Sequence, residues 1–220
     1  MSSSTISFAF IGEGPSDRSV VVVLRELVRR AGADEVTGVP FPCSGTSRQK
    51  VDSLLAEMVT PYDLVFLHRD ADTEDSGPRL AEVNSAFAEA RVAGVPVVPV
   101  QETEAWLLTD EQAIRDVVGR PSGKTPLGLP KLQRIEAAKQ PKEILARACV
   151  AASESSGKRL RRVRRDFGLH RSTLLERLDP DGPVSSLPSF QRLVKDTTTA
   201  VQACLGGRAH SGENGAIFRT

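Results

Sequence analysis

Through its first half the chain alternates short apolar runs with longer amphipathic stretches, and three of the apolar runs end in acidic residues. This rhythm narrows the choice of folds more than any other feature. Residues 6–12 (ISFAFIG), 63–67 (DLVFL) and 95–100 (VPVVPV) are short and, apart from Ser7 and Asp63, apolar, as expected of strands buried on both faces. A further short strand is predicted over 35–41. Between the strands, helices are expected over about 17–31, 47–60 and 78–93. In the first of these, Val20, Leu24, Leu27, Val28 and Ala31 keep helical spacing, and Gly32 is a natural stop. Thr109, with Gln112 three residues on, reads as a capping box that opens another helix. Strands alternating with helices predict an α/β fold with a mainly parallel sheet flanked by helices.

After about residue 119 the strand signals stop. Residues 130–205 read as short helices broken by Pro, Gly and Ser. The expected organisation is an α/β domain over 1–118 and a helical region over 119–220, which can pack on the first domain as one unit if a single core serves both. The tail 206–220 is small and polar and is expected to fray.

Composition excludes several function classes. With 29 basic and 28 acidic residues the formal charge is +1, so any affinity for nucleic acid must come from a local patch. Aromatic residues are 5% of the chain, too few for an extended base-stacking platform. Cys43, Cys149 and Cys204 lie far apart, without zinc spacing, and read as small buried hydrophobes in a reducing compartment. The first residues lack the basic n-region of a signal peptide, and no stretch approaches the roughly 20 apolar residues of a membrane helix. A cytoplasmic protein with no membrane association is expected.

The acidic residues at the strand ends are Glu13, the pair Asp70 and Asp72, and the pair Glu102 and Glu104. In open parallel sheets, ligands bind outside the carboxyl ends of the strands. Carboxylates gathered there repel one another unless a cation lies between them, and magnesium, a hard ion, suits oxygen ligands. Gly14 is read as the residue that permits a sharp turn after Glu13. Asp70 and Asp72 share a face if their strand continues, and a short loop if it has ended. The plainer reading is that acidic residues cap helices and fill turns. Replacing either aspartate by asparagine should relieve repulsion and leave stability unchanged or higher.

Other signals are weaker. Gly119–Thr125 imitates a phosphate-binding loop but is one residue short between its glycines, follows no strand and runs into Pro126. Gly12 and Gly14 hint at a dinucleotide fingerprint, yet position 17 is Asp and not glycine. His68 reads as a satisfied polar residue, Tyr62 as a turn or core residue and Trp106 as a core anchor. Lys158, Arg159, Arg161, Arg162, Arg164 and Arg165 form a basic run that is either a solvated helix or a contact for the phosphate backbone. A helix-turn-helix over the residues that follow is only faintly signalled.

The run Phe8-Ala9-Phe10-Ile11-Gly12-Glu13-Gly14-Pro15-Ser16-Asp17 resembles the first motif of the toprim domain, and Asp63-Leu64-Val65-Phe66-Leu67-His68-Arg69-Asp70-Ala71-Asp72 resembles the second. That domain occurs in primases, topoisomerases and nucleases of the overcoming-lysogenization-defect type. A bacterial family labelled domain of unknown function 4276 is similar in both motifs. It also has a third, resembling Gln101-Glu102-Thr103-Glu104-Ala105-Trp106-Leu107-Leu108-Thr109-Asp110, where its usual first residue is His and this chain has Gln101. The resemblance implies a toprim-like (Rossmann-like) fold and a magnesium-dependent nuclease, or a nuclease-like phosphotransferase, acting in phage defence or repair. Glu13, Asp70 and Asp72 would be catalytic. Glu13 would be a general acid/base or a metal ligand, Asp70 and Asp72 would hold magnesium, with manganese able to substitute, and Glu102 and Glu104 would serve a second metal position. Lys158, Arg161, Arg162, Arg164 and Arg165 would grip a DNA or RNA backbone, and a partner protein such as an ATPase is a further expectation. The alternative is a non-catalytic binding or regulatory subunit on the same fold.

Overall fold

The computed structural model describes residues 4–213, with side chains to 207. Four parallel strands form one sheet: β1 (Thr5–Gly12), β2 (Glu35–Pro42), β3 (Leu64–His68) and β4 (Gly94–Val97), in the order β2-β1-β3-β4. Three helices link them: α1 (Val20–Arg30), α2 (Ser47–Glu57) and α3 (Gly77–Ala90). Six more follow: α4 (Glu104–Leu107), α5 (Glu111–Val118), α6 (Pro141–Ser153), α7 (Gly157–Arg165), α8 (Phe167–Glu176) and α9 (Pro188–Glu213). This is an α/β, Rossmann-like arrangement, as the alternation of strands and helices predicts.

The two-residue period of each strand sorts its side chains between two cores. Ile6, Phe8, Phe10, Leu64, Phe66, Val95 and Val97 face one side, and Ala9, Ile11, Val65 and Leu67 face the other. Helices α2 and α3 cover the second side through Val51, Leu54, Val83 and Phe87. The first side is covered by α1 together with the later helices: Trp106, Leu145, Leu175, Phe190 and Val201 lie in the same cluster as Phe8 and Phe66. Trp106 is the core anchor its type suggests, packed edge-on to Phe190 at 5.3 Å and donating its indole N–H to Ser189. Gly38 in β2 is required by packing, since a Cβ there would stand 2.3 Å from the Phe8 ring.

Three sequence-based expectations need correction. The helix at 111 is capped by Asp110, whose carboxylate accepts from Ala113 N at 2.9 Å, while the Thr109 hydroxyl donates backward to Trp106 O. The capping box the sequence does contain is Thr46–Gln49 at α2. The last part of 130–205 is not a set of short helices, because α9 runs for 26 residues. The expected fraying of 206–220 bears on residues 214–220, which lie outside the described residues, whereas 206–213 continue α9. Among the described residues no helix is long and apolar enough to cross a membrane.

Candidate functional site

In the order β2-β1-β3-β4 the chain turns to opposite sides after β1, so the switch point lies between β1 and β3, where ligands of such sheets bind. A cleft of about 320 Å³ opens there. Glu13 and Asp17 reach it from the segment after β1, Asp70 from the segment after β3, and Glu102 and Glu104 from the segment after β4. Lys142 of α6 and Phe167, Gly168 and Arg171 of α8 close the far side. The helical region therefore forms one wall of the acidic edge.

Local backbone geometry explains the aim of each side chain. Beyond β3 and β4 the chains continue side by side, with Arg69 N bonded to Val97 O, Ala71 N to Pro99 O and Asp72 N to Gln101 O. This ladder sets Asp70 next to Glu102. Asp72 then takes a left-handed φ of 59°, and Gln101 opposite takes 61°. The turn breaks the alternation that would have put Asp72 beside Asp70: Asp72 is not among the residues lining the cleft, and its carboxylate, 69% exposed, pairs with Arg79 of α3 at 3.4 Å. Gly14 does not make the turn expected of it, since its φ of −166° is extended backbone open to any residue. The tight position is Gly12, where a Cβ would meet that of Asp17 at 3.1 Å.

Under the cleft lies a buried ionic network. Arg171 donates to Glu104 at 2.7 Å, to Asp17 at 3.2 Å and to the Ser16 carbonyl at 2.6 Å. The other Asp17 oxygen accepts from Glu13 N and sits 3.2 Å from His68 Nδ1. His68 Nε2 lies 3.1 Å from Asp70 Oδ1 and 2.9 Å from the Thr103 hydroxyl. Burial opposes a charge on His68, but the flanking Asp17 and Asp70 outweigh it and raise its pKa from 6.5 to about 9. Burial likewise works against the Asp17 carboxylate, and His68 and Arg171 overcome this and hold its pKa well below the usual range. His68 is thus the satisfied polar residue the sequence suggests, held as an imidazolium between two carboxylates. Because its folded pKa is raised, its contribution is complete below pH 6.5 and is lost as pH rises through about 9. Melting temperature measured in chelator should fall from pH 6 to pH 9 by the equivalent of about 3 kcal/mol or less, and His68→Gln should flatten that slope. An unchanged slope in the variant would assign the pH dependence elsewhere.

Above this floor, three carboxylates share one pattern. Asp70 Oδ1 accepts from Thr103 N as well as facing His68. Glu102 Oε2 accepts from Lys142 N at the start of α6. Glu13 Oε1 lies 2.9 Å from Arg69 Nε, which is not aligned for a hydrogen bond, so charge alone ties them. The second oxygen of each accepts no hydrogen bond from the protein among the described residues. Burial raises the Glu102 pKa, the amide of Lys142 lowers it, and the negative charges of Glu104 and Asp70 add to the rise. Glu104, 3% exposed, is committed to Arg171 and belongs to the floor. Lys50, also buried, donates to the Gly12 carbonyl beneath Glu13. Among the described residues no three His, Cys, Asp or Glu side chains stand together as a ready-made metal-binding group.

The basic run forms α7, with Lys158, Arg159, Arg161, Arg162, Arg164 and Arg165 all exposed and Val163 buried. Arg162 and Arg165 pair with Asp166, one residue before the wall of the cleft. The imitation phosphate loop is already occupied, since Glu154 accepts from Lys124 N and Thr125 N. Asp17, Thr103 and Arg171 are site residues that the sequence does not single out, and His68 is marked there only as a satisfied polar residue. Asp17 lies within the first acidic motif, but nothing near Arg171 marks it as a partner of residues 154 positions earlier.

Fold and cleft together define an α/β protein of Rossmann-like architecture with a carboxylate-lined cleft at its topological switch point. The chain belongs to the family described as domain of unknown function (DUF4276), whose model matches residues 13–196. No curated protein and no solved structure matches it.

Proposed function

We propose that the cleft is a magnesium-dependent site of toprim type that cleaves nucleic-acid phosphodiesters. The observation that carries this reading is that Glu13, Asp70 and Glu102 line one cleft, each with at least one carboxylate oxygen that accepts no hydrogen bond from the protein among the described residues. The donor set fits the ion, since magnesium is commonly held by one or two carboxylates, waters and substrate phosphate and needs no closed protein cage. Asp70 and Glu102 would hold it, with Glu13 and Asp72 further candidates. When bound, it would neutralise phosphate charge and acidify an attacking water. The chain supplies the rest. The Lys142 ammonium and the first turns of α6 and α8, whose amide dipoles point toward the cleft, offset the acidic floor and favour a phosphate. Glu13, tied only by charge, is free to accept a proton from the nucleophile.

Incubation with a panel of single- and double-stranded DNA and RNA in magnesium, manganese or chelator tests the reading. Cleavage in either metal and none in chelator is expected; intact substrate in every metal condition would refute it. The second reading, a non-catalytic binding or regulatory subunit, draws on the arginine pairings: Arg69 with Glu13, Arg79 with Asp72 and Arg171 with Glu104. It predicts nucleic-acid or protein binding that is indifferent to metal.

The α7 cations are proposed to hold the nucleic-acid backbone beside the cleft. Changing Arg161, Arg162, Arg164 and Arg165 together to Ala should weaken binding similarly across sequences. The slope of log affinity against log salt should shrink by about 0.7–0.9 for each phosphate that is no longer neutralised. An unchanged slope would make α7 a solvated face.

A further inference from the structure

A second cavity, about 460 Å³, opens between α6 and α7. Ala146, Cys149, Val150, Ala151 and Val163 line it, together with Arg147 and Arg164. Its surface is almost wholly apolar and no acidic residue lines it. Phe167 lines this groove and the acidic cleft alike, so the two meet at one aromatic side chain. We propose that the groove is a subsite for one unpaired nucleobase of the nucleic acid whose phosphate reaches the cleft. This rests on the phosphodiesterase reading for the identity of the occupant.

Its chemistry suits a flat aromatic group bearing an anion. The volume lies within the usual range for small-molecule sites, which combine apolar walls with a few placed polar groups. A guanidinium plane stacks on bases and also pairs with phosphate. Arg164 makes no ion pair among the described residues, and Arg147 has only a 3.7 Å contact with Glu143, both being exposed. Aromatic residues are too scarce for a platform that stacks many bases, but a single Phe with two arginines is enough for one. On the phosphodiesterase reading, an occupant that reaches the groove from the cleft past Phe167 is continuous with a phosphate there, which favours a nucleotide chain over a peptide. A base can enter only when it is unpaired, so the subsite selects single strands or frayed ends over blunt duplex.

The test measures binding, not cleavage. Full-length Asp70→Asn protein in chelator is titrated against a fluorescein-labelled single strand, the same strand with abasic sites, and a blunt duplex, by anisotropy. The intact strand should bind more tightly than the abasic one. Ala146→Trp, which fills the groove, should weaken the intact strand by about 5-fold or more and leave the abasic strand unchanged. Arg164→Ala, at an exposed position, should weaken both. If Ala146→Trp does not fold, Val150→Phe takes its place. Equal affinity for intact and abasic strands, or a folded groove-filling variant that binds like its parent, overturns the proposal. So does capture of the groove by an acidic amphipathic peptide that oligonucleotides do not displace, or a dimer that Ala146→Trp dissociates. The two readings fail separately. Metal-dependent cleavage with an indifferent groove removes only the subsite. Base-dependent binding without cleavage in any metal keeps the subsite and removes the nuclease.

Discussion

Replacing Arg171 with methionine is expected to destabilise the protein by about 3–5 kcal/mol, the usual consequence of stripping a buried ion pair of one partner. Arg171 is 6% exposed and is the cation for both Asp17 (4%) and Glu104 (3%). Burial works against its charge, but the two carboxylates more than compensate and raise its pKa. It also binds the Ser16 carbonyl, so it fastens α8 to the segments after β1 and β4. Methionine keeps most of the packing volume and removes only charge and hydrogen bonds, leaving Asp17 with His68 as its one paired cation and Glu104 with no paired cation among the described residues. For a chain of this size the loss corresponds to a fall in melting temperature of roughly 6–20 °C. Asp17 has a depressed pKa, so its contribution is present above about pH 4 and is lost as pH falls through the folded value; the deficit should shrink in acid. The triple change Asp17→Asn, Glu104→Gln, Arg171→Met should recover much of the loss. A single-variant deficit below about 1 kcal/mol by urea unfolding would mean that water reaches the carboxylates and that the network is not a buried one.

Asp70→Asn is expected to lower metal-dependent cleavage by about two to four orders of magnitude, because it removes a charged oxygen that would hold the ion, a contribution of several kcal/mol. Asp72→Asn should cost far less, since its side chain leans toward Arg79 and away from the cleft. Equal losses in the two variants would show that the segment rearranges on binding metal. The structure also reverses the stability expectation for Asp70. Repulsion among carboxylates predicts that asparagine is neutral or better, but Asp70 Oδ1 faces His68 and accepts from Thr103 N. Losing a charged partner of a buried imidazolium should destabilise by about 1–3 kcal/mol, most visibly below the raised His68 pKa. Metal affinity by titration calorimetry, run beside thermal melts of the apo-protein, separates the two effects.

The strands and their direction follow from local pattern alone. Runs such as Phe8–Ile11 and Leu64–Leu67 are apolar at every position, so both faces must be buried, and a sheet covered on two sides satisfies them. Once the strands are parallel and joined by helices, their carboxyl ends lie on one edge, and the acidic residues after β1, β3 and β4 are brought together without further information. Glu13, Asp70, Glu102 and Glu104 were legible for that reason. The rest depended on contacts between distant segments. Whether a strand-end residue continues the alternation or leaves it turns on one backbone angle, and the left-handed φ at Asp72 arises where the chains after β3 and β4 bond across to each other. Arg171 looks like any helix-surface arginine until α8 packs against the segment at 15–19, and only then does its guanidinium lie between Asp17 and Glu104. Helix pattern shows which face of α8 is apolar but not which carboxylates it will meet. Burial and long-range pairing set the charge state of His68, the division of the acidic residues between floor and open cleft, and the meeting of groove and cleft at Phe167. These depend on the summed field and shape of segments far apart in the chain, so the fold had to form before any of them existed.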